Sequence, residues 1–301
     1  MAMDVTQLPE AKPRERKVAI GTFDGVHVGH RQVIEGSDTV LTFEPHPVRV
    51  IHPEAAPKLI MNFNTKRDVI AGLGVSELVV IPFDRAFSQI SAEEFIEDIL
   101  VQKLGATHVS IGENFRFGAK AKGDQDMLEQ RGEFETRIVP LVEADGETIS
   151  STRIRALVLA GDVETAMHGL GAPFLMEGEV VKGDQRGREL GFPTANIVPD
   201  DELVCPGHGV YAGFADGRPA AIHIGVRPMF ETGRGVLVEP HLIDFDGDLY
   251  GKTLRLAFIA RLRGEKRFPS VEDLIAQMRR DVDEAREICV AFKGPAPSAS
   301  R

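Results

Sequence analysis

Lys17-Val-Ala-Ile-Gly-Thr-Phe-Asp-Gly-Val-His-Val-Gly-His-Arg31 is the stretch on which the fold of the first half turns. Val18–Ile20 is a short apolar run of the kind that forms a buried strand in a parallel sheet. Gly21 ends it, Asp24-Gly25 makes a tight turn, and a helix is predicted to start there. His27 and His30, three residues apart, then share one face of its first turn. Gly29 between them leaves space for an anion to approach the exposed N–H groups. An isolated His-x-Gly-His reads as readily as a surface metal site or as two solvated residues. What favours an anion site is its place at the junction of first strand and first helix, where open α/β sheets bind their ligands.

Working outward, Asp38–Phe43 is a second strand, stopped by Pro45 and Pro47. Thr65 with Asp68 resembles a capping box ahead of Val69–Leu73, closed by Gly74. Leu78–Phe83 is a third strand. Ser91 with Glu94 opens an amphipathic helix whose apolar stripe is Phe95, Ile96, Ile99 and Leu104, ended by Gly105. Thr107–Ile111 and Ile138–Val142 complete five strands. Alternation of strand and helix implies a parallel, doubly wound, Rossmann-like sheet. Gly112-Glu-Asn-Phe-Arg-Phe-Gly118 follows the fourth strand, so Asn114 and Arg116 either reach a ligand or belong to a turn with its Phe rings packed below. Ile149-Ser-Ser-Thr-Arg-Ile-Arg155 follows the fifth. Its hydroxyls can cap a helix, or join Arg153 and Arg155 in a second phosphate cradle.

The totals set bounds. At 301 residues the chain is long enough for two domains, and 43% apolar content supports real cores. A net charge of −11 excludes general nucleic-acid binding. No apolar run reaches the ~18 residues of a membrane span. Met1–Arg16 is polar, lacks an apolar signal region and reads as a disordered lead-in to a cytoplasmic protein, and Gly294–Arg301 as a disordered tail. The two cysteines, Cys205 and Cys289, have no zinc or redox spacing.

Near Gly169 the rhythm changes. Phe174–Val181, Gly209–Phe214, Ala220–Ile224, Gly235–Phe245 and Thr253–Leu262 are strands with no helix between them, which implies a small antiparallel β-barrel. A final helix capped by Ser270 and Asp273 carries the stripe Val271, Leu274, Ile275, Met278, Val282, Ala285 and Ile288, expected to pack on the barrel. After the first of these strands, Gly183, Gly187 and Gly191 make a flap whose amides can wrap phosphates. Phe192-Pro-Thr-Ala-Asn196 then presents the Thr194 and Asn196 oxygens, suited to Mg²⁺ or phosphate, or simply forms an ordinary turn.

The Gly-Thr-Phe-Asp-Gly-Val-His-Val-Gly-His motif, the Glu113-Asn-Phe-Arg-Phe-Gly118 loop and Ile149-Ser-Ser-Thr-Arg-Ile-Arg155, in that order, resemble the adenylyltransferase half of bacterial bifunctional riboflavin kinase/FAD synthetases. The Gly183–Asn196 flap resembles the signature of their riboflavin kinase half, Leu237-Val-Glu-Pro-His-Leu-Ile-Asp-Phe245 and Asp248–Lys252 look like its later strands, and Arg261–Phe268 with the final helix continues the match. The likeness covers residues 17 to 290. It implies an FMN adenylyltransferase domain over 15–170 and a riboflavin kinase domain over 171–293, with riboflavin, FMN, FAD and ATP as substrates or products, Mg²⁺ as cofactor, and no nucleic-acid or membrane partner. Oligomeric state is left open.

By the same resemblance, His27, His30 and Arg155 act on the ATP phosphates, with Gly21, Phe23, Asn114, Ser151 and Thr152 binding the nucleotide. Glu239 is the kinase base, Thr194 and Asn196 hold Mg-ATP under the Gly183, Gly187 and Gly191 flap, and Arg263 and Phe268 meet the flavin. The chain departs from the family pattern in four places. Only Arg31–Leu41, interrupted by Gly36, separate His30 from Thr42, which predicts a helix of barely one turn. His223 stands where the family has Asn, Met229 where it has Thr, and Pro240 where it has Val. The short helix supports an alternative, a riboflavin kinase joined to a degenerate domain that only binds nucleotide. A flavin- or nucleotide-binding regulator without activity is the reading from another class, and the retained Glu239 counts against it.

Overall fold

The structure, a computed structural model, describes residues 3–144, 146–183, 187, 190–226 and 235–294. It divides into two compact units, Met1–Ser151 and Thr152–Arg301.

The first unit is built on six parallel strands: β1 (Asp4–Gln7), β2 (Arg16–Ile20), β3 (Thr39–Glu44), β4 (Glu77–Pro82), β5 (Ala106–Gly112) and β6 (Glu135–Val139), in the order β1-β4-β3-β2-β5-β6. The strand order reverses between β2 and β5, so their carboxyl ends border the crevice where such sheets bind ligands. Helices α1 (Val28–Ile34), α2 (Pro47–Ile51), α3 (Phe63–Ala71), α4 (Ala92–Glu94) and α5 (Gln125–Glu129) surround it. Successive strand residues face opposite layers. Val18 and Ile20 join Phe95, Ile96 and Leu100 on one side, while Ala19 joins Val33, Ile34 and Ile70 on the other. This is the doubly wound sheet expected.

Ser91 and Glu94 start the predicted helix and make both halves of a capping box, and the helix then continues as a π-helix over Phe95–Lys103, with Leu104 N–H reaching Ile99 O at 2.9 Å. Four sequence expectations are corrected. The lead-in is ordered from Met3. β1 pairs with β4, Leu8 and Ala11 are buried, and Arg16 is 2% exposed on Glu77, its Nε 2.8 Å from Oε2. Helix α3 starts before Thr65, because Asn62 is the cap and accepts from Thr65 N–H. β6 is shifted toward the amino end of Ile138–Val142, since Pro140 lacks the N–H to continue it. A hairpin, β7 (Glu143–Ala144) and β8 (Glu147–Thr148), follows. Helix α1 spans seven residues, about two turns rather than one.

The second unit opens with α6 (Ser151–Ala160) and α7 (Val163–Leu170) and then closes a barrel of β9 (Phe174–Val181), β10 (Asn196–Ile197), β11 (Gly209–Ala215), β12 (Arg218–Val226), β13 (Val236–Leu242) and β14 (Thr253–Arg263). The circuit runs β10-β13-β12-β11-β14-β9, all antiparallel. The join between β9 and β13 consists of two residues, Asn196 and Ile197. Ile197, fully buried, lies over Gly178 so closely that a side chain there would start 2.3 Å from its Cγ2. β13 is shorter than Gly235–Phe245, and Asp248–Lys252 is loop rather than strand.

Arg261 from β14 donates to Ala160 O at 3.2 Å and His208 O at 2.7 Å, tying α6 to the barrel. Helix α8 (Val271–Ala291), capped by Ser270, lays Val282, Ala285 and Ile288 on Ala212, Ala221 and Ile243 as its stripe predicts, but Val271 is exposed.

Candidate active sites

At the carboxyl ends of β2 and β5 the first unit opens a cleft of about 940 Å³, lined by Gly21, Phe23, His27, His30, Asn114 and Ser151 among others. The turn from β2 into α1 is tightly constrained: Phe23, Gly25 and Val26 all have φ between 41° and 89°, a region costly for a side-chain-bearing residue. The turn is held from several directions. Asp24 Oδ1 accepts Ile60 N–H at 2.8 Å, Arg31 Nε donates to Val26 O at 3.1 Å, and Ser151 Oγ donates to Asp24 O at 2.8 Å. Gly21 has no room for a Cβ beside the Phe23 ring, whose Cζ would be 3.0 Å away.

The two histidines stack, centroids 3.6 Å apart, and Phe23 meets the His30 ring edge-on at 5.4 Å. Gly29 makes this possible, since a Cβ there would lie 3.3 Å from the His27 ring. His27 Nδ1 accepts the His30 backbone N–H, which leaves its proton on Nε2. Burial lowers the His27 pKa to about 4. Burial, then the charges of His27 and Lys66, push His30 well below its ordinary value. Both rings are therefore neutral at pH 7. His30 Nδ1 is buried and has no hydrogen-bond partner among the described residues.

Lys66, which sequence reasoning missed, lies buried beneath this turn. Its Nζ is 3.4 Å from Thr22 O and 3.6 Å from Glu44 Oε2. Burial lowers its pKa, with Glu44 and Asp24 working against that.

The far wall of the cleft is aromatic. Phe43, Phe83 and Phe87 form one ring cluster, and Phe115 stacks on Phe117, which meets Phe95. Arg85, Arg116 and Lys120 supply cations to the lining. Thr152 and Arg155 stand on α6 and are not among the lining residues.

In the barrel, a cavity of about 480 Å³ is lined by Thr194, Asn196 and the loop from Phe245 to Tyr250, which brings in Asp246 and Asp248. Asn196 is 5% exposed and its Oδ1 has no partner among the described residues. Two of the three flap glycines, Gly183 and Gly187, serve close approach, whereas Gly191 has open space around it and a φ of 85°. A Cβ on Gly183 would sit 2.5 Å from the Asn196 side chain, and one on Gly187 2.4 Å from Phe192 O. His241, also missed, holds the flap's base through Pro193 O at 2.8 Å. Glu239 is buried on β13, directly across from His223 on β12, whose Nδ1 is 3.2 Å from Oε2. Pro240 keeps its place in β13, and its carbonyl accepts Ala195 N–H at 3.0 Å. Met229 lies outside the described residues. Arg263 is tied to the buried Asp281 of α8, Nη2 donating to Oδ2 at 2.8 Å, with Phe268 beneath its guanidinium at 5.7 Å.

The FAD synthetase family matches residues 10–153 and the riboflavin kinase family residues 170–289. The bifunctional riboflavin kinase/FMN adenylyltransferase of Escherichia coli K12 is 36% identical, over 94% of this chain and 96% of the relative. The chain belongs to that bifunctional family. The Pseudomonas fluorescens relative of the same description is 35% identical over 99% of both chains. A solved Streptococcus pneumoniae structure, described as a macrolide-efflux protein, is 29% identical with a TM-score of 0.84 over 94% of this chain and 99% of its own. Both halves of the family are thus present, and a kinase joined to a degenerate partner is not favoured. In the FAD synthetase half His27 caps a two-turn helix that carries His30 and is anchored by buried Val33 and Ile34. No described helix is long and apolar enough to cross a membrane.

Proposed function

We propose that the barrel phosphorylates riboflavin to FMN with ATP, and that the α/β unit adenylylates FMN to FAD with release of pyrophosphate. The observation that carries this is the occurrence in one chain of a neutral, stacked His pair in a wide aromatic-walled cleft and of a barrel that holds a buried carboxylate and a cavity lined by Thr194 and Asn196. The activities divide after α7, between 15–170 and 171–293, although the compact units part at Ser151.

In the cleft no base is needed, because the FMN phosphate is already ionised. Its oxygen attacks the ATP α-phosphorus as the bond to pyrophosphate breaks. The protein's task is to stabilise charge on the α-phosphate and the leaving group. His27 Nε2–H donates to those oxygens, and His30 joins it from the next turn. Asn114 and Ser151 position the nucleotide, and Gly21 and Phe23 leave room for it. The Phe43, Phe83 and Phe87 wall is where a flat flavin ring stacks.

In the barrel, Glu239 takes the ribityl 5′-hydroxyl proton as that oxygen meets the γ-phosphate. Thr194 Oγ1 and Asn196 Oδ1, the latter without a partner among the described residues, are neutral oxygen donors suited to Mg²⁺, with Asp246 and Asp248 on the same cavity. Bound there, the ion would offset the charge between the β- and γ-phosphates. Arg263 and Phe268 border the flavin, their geometry fixed by Asp281.

The test is chromatographic: purified protein with riboflavin, ATP and Mg²⁺, following FMN and FAD over time. FMN followed by FAD is expected. FMN that accumulates without FAD, even when FMN is supplied, would overturn the transferase assignment, and absence of both products would overturn the whole reading.

A further inference from the structure

His223 and Glu239 are a directly opposed cross-strand pair of β12 and β13, so their side chains leave the sheet on the same side. Glu239 is 8% exposed, whereas the His223 side chain that touches its carboxylate is 45% exposed. The contact joins Nδ1 to Oε2 at 3.2 Å. An ionised carboxylate only accepts, so the imidazole proton of this contact is on Nδ1.

The ring's position is built in from its other side. Gly225, two residues along β12 and on the same face, has no side chain, and a Cβ there would meet His223 Cε1 at 2.8 Å and Nε2 at 3.1 Å. The same point lies 3.0 Å from Glu265 Oε1, and Glu265 Oε2 is 3.6 Å from His208 Nδ1. The ring thus occupies a slot between Glu239 and Glu265 that only glycine at 225 leaves open.

We propose that His223 is a positioning residue of the kinase step: its Nδ1–H holds the Glu239 carboxylate in the orientation that receives the ribityl proton, and Gly225 holds the ring. This rests on the reading of Glu239 as base. In the step, the proton passes from the 5′-oxygen to Glu239, and that oxygen's electron pair bonds to the γ-phosphorus. The bond from the γ-phosphorus to the bridging oxygen breaks, its pair leaving with ADP. His223 gains and loses no proton; it fixes the acceptor.

The experiment measures FMN formation from riboflavin and FAD formation from added FMN on the same full-length preparations, with thermal midpoints. The variants are Glu239→Gln, His223→Ala, His223→Asn, Gly225→Ala and the His223→Ala/Gly225→Ala double. His223→Ala is expected to lower kcat for FMN roughly 10- to 100-fold, the worth of one hydrogen bond to a charged group. KM values, FAD formation and midpoint stay at parent level, and His223→Asn, which keeps an N–H donor, recovers most of the rate. Gly225→Ala lowers kcat alone but adds nothing to His223→Ala, because the ring it displaces is gone. Parent-level kcat in His223→Ala beside an inactive Glu239→Gln overturns the inference and leaves the base standing. So does a loss shared by KM, FAD formation and midpoint. An active Glu239→Gln overturns the base and the inference together.

Discussion

Gly183→Ala asks whether the flap's glycines are there for flexibility or for contact. The added Cβ would begin 2.5 Å from the Asn196 amide, while non-bonded carbon atoms rest at about 3.5–4.0 Å, so one group must move by about 1 Å. Asn196 cannot recede easily: it is buried, and its backbone pairs with Val181. A displacement of about 1 Å in a positioned group costs on the order of 10²-fold in rate. Gly187→Ala meets the Phe192 carbonyl at 2.4 Å, a backbone atom that yields less, and should cost at least as much. Gly132→Ala, with no atom within 4 Å, is the neutral control. Steady-state FMN formation at varied ATP is the assay, with FAD formation from FMN on each preparation as internal reference. The expected result is a fall of roughly 10²-fold in FMN formation with FAD formation untouched. A Gly183→Ala protein that makes FMN at the parent rate would refute the reasoning, since it would mean the flap does not sit against Asn196 when the enzyme works.

Other outcomes follow from features of the first unit. His27 titrates near 6.5 unfolded and about 4 folded, so between those values the unfolded chain binds more protons and stability falls as pH drops. Urea midpoints should record a loss approaching about 3 kcal/mol across that window, and His27→Asn, which can still cap α1, should flatten that part of the curve while lowering FAD formation. Arg16→Met leaves the buried Glu77 with only the more exposed Arg14 and the Thr6 hydroxyl, and denaturant unfolding should show a loss of roughly 3 kcal/mol. Phe87→Ala opens the aromatic wall and should raise KM for FMN up to ~10-fold without changing KM for riboflavin; an unchanged KM for FMN would place the flavin elsewhere.

The parts legible in the sequence were those whose signal is local. Val18–Ile20 before the His pair gave the first strand and helix, Ser91 and Glu94 their cap, and the long alternating runs most of the barrel. What the sequence withheld depends on partners far along the chain. β1 is four residues long and becomes a strand only because β4 offers an edge; alone it reads as polar lead-in. Phe43, Phe83 and Phe87 come from separate segments and become a wall only when β3 and β4 pair. Lys66 looked like one more polar helix residue, and nothing near it in sequence announced Thr22 or Glu44. The His223 substitution was visible as a departure, but its partner was set by the register of β12 on β13.

The barrel closes through two residues, and one of them, Asn196, lines the cavity in which nucleotide and metal are proposed to sit. A cylinder is no tighter than its narrowest seam. Whatever binds Asn196 binds the folded barrel and not the unzipped one, so by mass action substrate contributes to holding the cylinder shut. Cellular nucleotide thereby becomes part of this half's architecture: a starved enzyme is not merely idle but looser, and its seam is where unfolding, and any protease that exploits it, would begin.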